Sequence, residues 1–320
     1  MRILLLQLKR IGDFILTAPA VAALRKAHPE AEIVAVVPAA VEGLAHCLPG
    51  LNRVLPYGGG LNASVWASLL AGEWDLCLDF TGTDRSALMA WLSRAKRSIG
   101  YAKWGSEGWR ARAYTELCDA SVRDLHTVDF HLALTAEPAA EDATFLRIPS
   151  HLSPSLPSEG PYAIVHIGTA REEKFWLDER WVEIIQHIAK THHVVLTGTN
   201  DSLERPHLDR VRASLTVPFT DLTGRLSLVQ LAALISRCDL ALGVDSMAMH
   251  LAALFRRPQV VLFGPTNPFH WRPLQSRAVV VAAGHDTPLT TFAPNAKGAE
   301  MNLISTAQVI DAITHALSSP

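Results

Sequence analysis

No uninterrupted apolar stretch in this sequence approaches the ~18 residues needed to cross a bilayer. The opening run "MRILLLQLKR" lacks both the longer apolar region and the small-residue cleavage site of a secretory signal. Cysteine is sparse: Cys47, Cys77, Cys118 and Cys238 lie far apart, with no CxxC and no Cys/His ligand spacing. That is the pattern of buried free thiols in a reducing compartment, and the expectation is a soluble, cytoplasmic protein. No histidine pair has HExxH or comparable spacing, so no metal is expected. A strong charge of either sign is also missing. The formal net charge is −2, which gives no reason to expect a nucleic-acid partner.

What is present is enough apolar material for two cores. The chain has 320 residues, of which 49% are hydrophobic and 19% charged. That length suits two domains better than one. In the first half, strand-like and helix-like segments alternate. "RILLLQL" reads as a buried strand, followed by a helix from about residue 14 to 27. "AEIVAVVP" is a second strand with the helix "AAVEGLAHCL" after it, and "WDLCLDF" a further strand with the helix "RSALMAWLSRA". Strands apolar on both faces and separated by helices indicate a parallel sheet covered on both sides.

The pattern breaks at "RIPSHLSPSLPSEGP", where Pro149, Pro154, Pro157 and Pro161 fall among serines, as in a linker. It then resumes with the strands "YAIVHIG", "HHVVLTG", "LALGVD" and "PQVVLFG". The helices between and after them are "DERWVEIIQHIAKT", "SLVQLAALISRC", "SMAMHLAALF" and, last, "TAQVIDAITHAL". The reading is a Rossmann-like domain over 1–150, a linker over 151–161, a second Rossmann-like domain over 162–304, and a closing helix over 305–320 that packs back toward the first domain. Two such domains would face a cleft, with ligands beyond the carboxyl ends of the strands.

Two stretches carry the chemistry. In "LKRIGDFILTAPA" one glycine, Gly12, is expected to turn the strand into the helix, and Asp13 then stands at the helix start, where the helix dipole favours its ionised form. The first turn lacks the three-glycine fingerprint of a dinucleotide site. In "DLALGVDSMAMHLAALFRRPQVVLFGPT", Asp245 ends a strand and is expected to cap the next helix. The amides near Ser246 and Met247 make a site for phosphate oxygens. His250 returns to the same face one turn later, and Gly264 and Thr266 follow the next strand. The plainer readings are that Asp13 and Asp245 are only helix caps and that His250 only packs.

"GVDSxxxHLAA…P…VLFGPT" resembles the donor-binding signature of the family 9 glycosyltransferases, the lipopolysaccharide heptosyltransferases. "GDFILTAPAVAALRKAHPEAEI", "WDLCLDFTGTDRSALMAWLSRAKRSIGY" and "HIGTAREEKFWLDERWVEII" resemble the family's opening, its third strand with the helix and turn that follow, and its interdomain donor loop, in the family's order. "GVDSMAMH" with "FHWRP" looks closer to the third heptosyltransferase type, which adds a branch heptose to the inner core. Met247 departs from the glycine common at that position, which changes how a phosphate would approach the backbone.

The resemblance implies a GT-B fold and inverting transfer of heptose from ADP-heptose to the lipid A–core oligosaccharide of a Gram-negative cell, without cofactor or metal. The sequence has no DxD pair of the metal-dependent type. Asp13 becomes the catalytic base. Thr169, Ala170 and Lys174 match the donor loop, although "REEK" alone reads as a solvated charge run. Gly198, Thr199 and Glu204 mark the adenosine pocket; Asp245, Ser246, Met247, His250 and Gly264 complete the donor site.

From Arg85 to Arg123 there are eight basic and three acidic residues. That local excess suits an anionic acceptor held by Gly12, Arg85, Arg97 and Lys103, and peripheral contact with the cytoplasmic face of the inner membrane. Trp91, Trp104 and Trp109 are interleaved with these charges, and "HTVD" (126–129) resembles a family segment at the cleft. Alternatives at this point are a transferase or epimerase using another nucleotide sugar on the same scaffold, and a non-catalytic lipopolysaccharide-binding homologue.

Overall fold

A computed structural model describes residues 1–320 except 61, 141, 157–159, 275, 319 and 320. Pro157 of the expected linker therefore lies outside the described residues. The chain divides into two compact units, Met1–Arg147 and Ile148–Pro320.

In the first unit, β1 (Arg2–Leu6) leads into α1 (Ile11–Leu16) and α2 (Ala18–Ala27), then β2 (Glu32–Pro38), α3 (Glu42–Ala45) and β3 (Arg53–Tyr57). There follow α4 (Ala63–Ala71), β4 (Leu76–Asp79), α5 (Asp84–Ser93), β5 (Arg97–Tyr101), α6 (Ala102–Gly105), β6 (Glu116–Cys118) and α7 (Thr127–Thr135). The second unit contains β7 (Tyr162–His166), α8 (Asp178–Ile188), β8 (His193–Thr197), α9 (Arg205–Ser214), β9 (Phe219–Asp221) and α10 (Leu228–Ile235). It continues with β10 (Leu240–Val244), α11 (Met247–Leu254), β11 (Gln259–Phe263), α12 (Pro268–Trp271), β12 (Ala278–Ala282) and α13 (Thr306–Ser318).

Each unit holds one six-stranded sheet, parallel throughout. The orders are β3-β2-β1-β4-β5-β6 and, read from its far edge, β9-β8-β7-β10-β11-β12. These are the same topology, the 3-2-1-4-5-6 winding of dinucleotide-binding domains. In each sheet the order reverses once, between β1 and β4 and between β7 and β10. A crevice opens at such a switch point because the loops leave in opposite directions.

The cores follow from the apolar runs. Leu4, Leu6, Val34, Val36 and Cys77 lie on one face of the first sheet with Met89 and Ala90 of α5. The second core gathers Val165, Leu196, Leu242 and Leu262 with Trp181 of α8 and Val309, Ala312 and Ile313 of α13. The last helix, expected to pack toward the first domain, thus contributes to the core of the second.

Several elements differ from the sequence reading. The first helix begins at Ile11 and breaks at Thr17, whose hydroxyl donates to the Phe14 carbonyl at 2.6 Å. Pro19 has no N–H to continue the ladder. "AAVEGLAHCL" shrinks to a 3-10 turn over Ala39–Val41 and the four-residue α3. Gly12 makes no left-handed turn: it lies inside α1 and is not among the glycines with positive φ. The chain instead turns over residues 7–10. The stretch expected as a turn after the third helix forms β5, and β3, β6 and β9 were not apparent, being short or partly exposed.

Candidate functional site

The residues singled out above gather mainly at the two switch points. At the first, the loops after β1 and β4 are tied together by Leu8 N–H, which donates to Thr81 Oγ1 at 2.8 Å. Asp79 is fully buried at the end of β4. Its Oδ1 accepts from the amides of Thr81 (2.8 Å) and Gly82 (3.1 Å), and its Oδ2 from the Tyr114 hydroxyl at 2.7 Å. Burial pushes its carboxyl above the ordinary range, and these donors oppose that shift. Asp79 is thus committed to shaping the loop.

Gly82 has φ +70°, and a Cβ there would collide with the Trp104 ring. The glycine is needed both for the left-handed backbone and for that close approach. Trp104 meets Tyr101 and Phe130 edge-on, with ring centroids 5.5 and 5.9 Å away. Lys9 lies over the same indole at 4.7 Å and Lys103 at 5.3 Å.

Asp13 stands in the first turn of α1, partly buried. Burial pushes its carboxyl above the ordinary range, against the attraction of Lys9 and a backbone hydrogen bond at Arg10. The helix dipole is expected to favour its ionised form; desolvation, which acts the other way, is the largest influence on it here. Among the described residues no cation closes to within 4.0 Å of it. Its carboxylate is thus held by backbone hydrogen bonding and by no ion pair.

At the second switch point, the loop after β7 carries Thr169, which is buried, Ala170, which is exposed, and Lys174. Lys174 Nζ donates to Asp245 Oδ2 at 2.6 Å and to the Asp245 carbonyl at 3.2 Å. The two side chains are only 13% and 7% exposed, so Lys174 is not part of a solvated charge run. Its neighbours Arg171 and Glu173 do pair with each other on the surface. Thr266 Oγ1 donates to the same Asp245 oxygen at 2.9 Å.

Asp245 was expected to cap α11, and it does not. Ser246 occupies the N-cap position, but its side chain makes no capping bond. Asp245 is drawn instead to the cation and hydroxyl facing it from the neighbouring loops. Ser246 Oγ and His250 Nδ1 are buried without a hydrogen-bond partner. Burial pushes the His250 imidazole below its ordinary pKa, with Asp245 opposing and Lys174 adding to the shift, which favours the neutral ring. Two orphaned polar atoms beside a helix start and an ammonium form a place that a polar ligand would complete.

Glu204 is expected at the adenosine pocket. In the structure its Oε2 accepts from the amides of Thr199 and Asn200, at 2.6 and 3.3 Å, and burial pushes the carboxyl up. Gly168 and Gly198 make room for it, since a Cβ at Gly168 would strike the carboxylate and one at Gly198 would come within 2.9 Å. Gly168 was missed in sequence; it is the residue before Thr169 in the donor loop. Gly264 is small for a similar reason, because a Cβ there would strike the Met301 side chain.

Of the basic residues expected at the acceptor, Arg97 lies elsewhere. Arg97 begins β5 at the opposite end of the sheet from Asp13 and forms a bidentate pair with Glu116 at 2.7 and 2.9 Å. Arg85 stacks over Tyr57, 5.6 Å from the ring centroid. His126 of "HTVD" caps α7 by accepting from Val128 N–H. Among the described residues no group of three or more His, Cys, Asp or Glu side chains could hold a metal ion, and no helix is long and apolar enough to cross a membrane.

The family described as glycosyltransferase family 9 (heptosyltransferase) matches residues 62–297. Lipopolysaccharide heptosyltransferase 3 of Escherichia coli is 26% identical, over 96% of this chain and 97% of that protein. Among solved structures, E. coli ADP-heptose lipopolysaccharide heptosyltransferase II superposes with a TM-score of 0.81 at 22% identity, covering 99% of this chain and 98% of that one. The E. coli heptosyltransferase WaaC, solved with ADP, gives 0.78 at 20% identity, covering 99% and 100%. The fold is GT-B.

Proposed function

From the chain's membership of glycosyltransferase family 9, the heptosyltransferases, we propose that it transfers heptose from ADP-heptose to the lipopolysaccharide inner core, with inversion and without a metal. The observation that carries this is the second switch point. There a largely buried lysine, a helix start and two orphaned polar atoms converge at the carboxyl ends of β7 and β10. That chemistry fits a nucleoside diphosphate, and a neighbour of the same fold was solved with ADP.

In this reading the diphosphate lies against Lys174, Ser246 and the amide of Met247, with Thr169, Ala170 and His250 around the sugar and Gly264 behind. The adenosine rests near Gly198 and Thr199, on the loop that Glu204 holds in shape. Asp13 takes the proton from an acceptor hydroxyl as that oxygen bonds to the anomeric carbon. The bond from this carbon to the diphosphate breaks on the opposite side, and ADP leaves with the electron pair. Lys174 and the α11 amides meet the charge that develops on it.

The acceptor approaches past Gly12, Arg85 and Lys103. Trp91 and Trp109 are 56% and 46% exposed, and with the basic residues around them they offer the first unit a face for the anionic inner leaflet. Similarity to a heptosyltransferase 3 over nearly the full length of both chains supports the third type.

The test is thermal stabilisation by ADP, UDP, GDP and NAD at matched concentrations, since a ligand that binds only the folded state raises Tm with its affinity. Selective stabilisation by ADP is expected. A preference for UDP or GDP overturns the donor, and no response to any of them favours a non-catalytic lipopolysaccharide-binding protein.

A further inference from the structure

The first switch point contains a second cation that proton removal does not require. Lys9 and Lys103 both lie over the Trp104 indole, at 4.7 and 5.3 Å from its centroid. Among the described residues no carboxylate oxygen lies within 4.0 Å of either ammonium. Lys103 is exposed, whereas Lys9 is partly withdrawn from water. Burial pushes the Lys9 pKa down and Lys103 lowers it further, while Asp13 and Asp79 act against this from a distance. A partly buried ammonium facing another cation is costly unless an anion joins them.

The nearby acids are spoken for. Both Asp79 oxygens are occupied by Thr81, Gly82 and Tyr114. Asp13 is the proposed base and has to remain open. The platform itself is fixed: Gly82 lets the indole approach the backbone, and Tyr101 and Phe130 hold its edges. A rigid aromatic face carrying two ammonium groups with no carboxylate partner, one of which, Lys9, acts electrostatically on Asp13, is a built site lacking its anion.

We propose that Lys9, Trp104 and Lys103 form a subsite for an oxyanion, a phosphate ester or a carboxylate, carried by the acceptor beside the hydroxyl that Asp13 deprotonates. This rests on the proposed function for the identity of the acceptor, and it adds a selection rule. Acceptors with an anionic substituent next to the reacting hydroxyl are preferred, and the indole face packs against the sugar that bears it.

The experiment compares three acceptors: heptose-deficient lipid A–core, the same material stripped of phosphate with hydrofluoric acid, and the same material with its carboxylates methyl-esterified. Lys103→Met is expected to raise the KM for the intact acceptor about tenfold, the scale of one charge-assisted contact. The KM for ADP-heptose should not change. Lys9→Met should show the same rise in acceptor KM, and Lys9→Arg should restore most of it. Wild type should lose the same factor on whichever treated acceptor lacks the relevant anion, with the variants losing nothing more there; this identifies phosphate or carboxylate. An equal penalty on all three acceptors overturns the subsite. Should Lys9→Met not fold, Lys103→Met decides the question alone.

A wild-type protein that transfers no heptose would sink the proposed function without deciding the subsite. For that case, reductive methylation followed by peptide mass spectrometry reads the site directly. Inorganic phosphate should protect Lys9 and Lys103 relative to chloride at equal ionic strength, and the absence of protection overturns the proposal.

Discussion

The two sheets wind in the same order, and each switch point carries a lysine and an aspartate, but in opposite states. At the second, Lys174 and Asp245 close on each other at 2.6 Å, nearly out of water. At the first, Lys9 and Asp13 feel each other's charge without bonding, and Lys9 lies on an indole instead. A carboxylate held by an ammonium and a hydroxyl is a poor proton acceptor and a good anchor. One left open and raised in pKa by burial is a better base. Topology says where a site can form; the partners of each carboxylate say what it can do.

The largest expected effect breaks the open pair. Asp13→Asn should lower the transfer rate by about 10²–10⁴-fold, the range for loss of a general base. Steady-state transfer from ADP-heptose to a heptose-deficient core measures it, and a loss under tenfold would leave the base unassigned.

The closed pair should respond in stability. Asp245→Ala strands the Lys174 ammonium in a site where it is only 13% exposed. Removing one partner of a buried pair costs about 3–5 kcal/mol. Denaturant unfolding should show most of that cost, whereas Asp13→Asn should leave stability within about 1 kcal/mol of wild type, because Asp13 closes no ion pair among the described residues.

The smallest effect sharpens the open pair. Burial raises the Asp13 pKa and Lys9 lowers it, so the acid limb of kcat/KM should lie above the ordinary aspartate range. Activity is present above the limb and lost as pH falls through it. In Lys9→Met the cation is gone, the carboxylate is less favoured, and the limb should move to higher pH. A shift to lower pH would contradict the assigned geometry.

Much of this was legible in the sequence because parallel strands are apolar on both faces and leave unbroken runs such as "RILLL" and "HVVLT". The candidate residues were legible for a different reason: Asp13, Lys174 and Asp245 lie in loops after strand ends, where a polar residue has no packing role to fill. Their partners were not legible. Lys174 and Asp245 are 71 residues apart, and nothing local distinguishes the pair from a surface charge and a helix cap. Glu204 looked like a ligand contact because its distance from Gly168 and Gly198, which make room for its carboxylate, exists only in the fold. Arg97 looked like part of a basic acceptor face because a charge count ignores which end of a strand a residue occupies. Lys9 carries no signal in the sequence, since its position on Trp104 joins segments far apart in the chain.

The most direct test of this division of labour is calorimetric titration of ADP into wild type, Asp13→Asn and Lys174→Met. Asp13→Asn is expected to bind ADP as wild type does, while Lys174→Met loses about 1–3 kcal/mol of affinity, the scale of a charge-assisted contact. Loss of ADP binding in Asp13→Asn, or unchanged binding in Lys174→Met, would contradict the assignment of donor and proton chemistry to separate switch points.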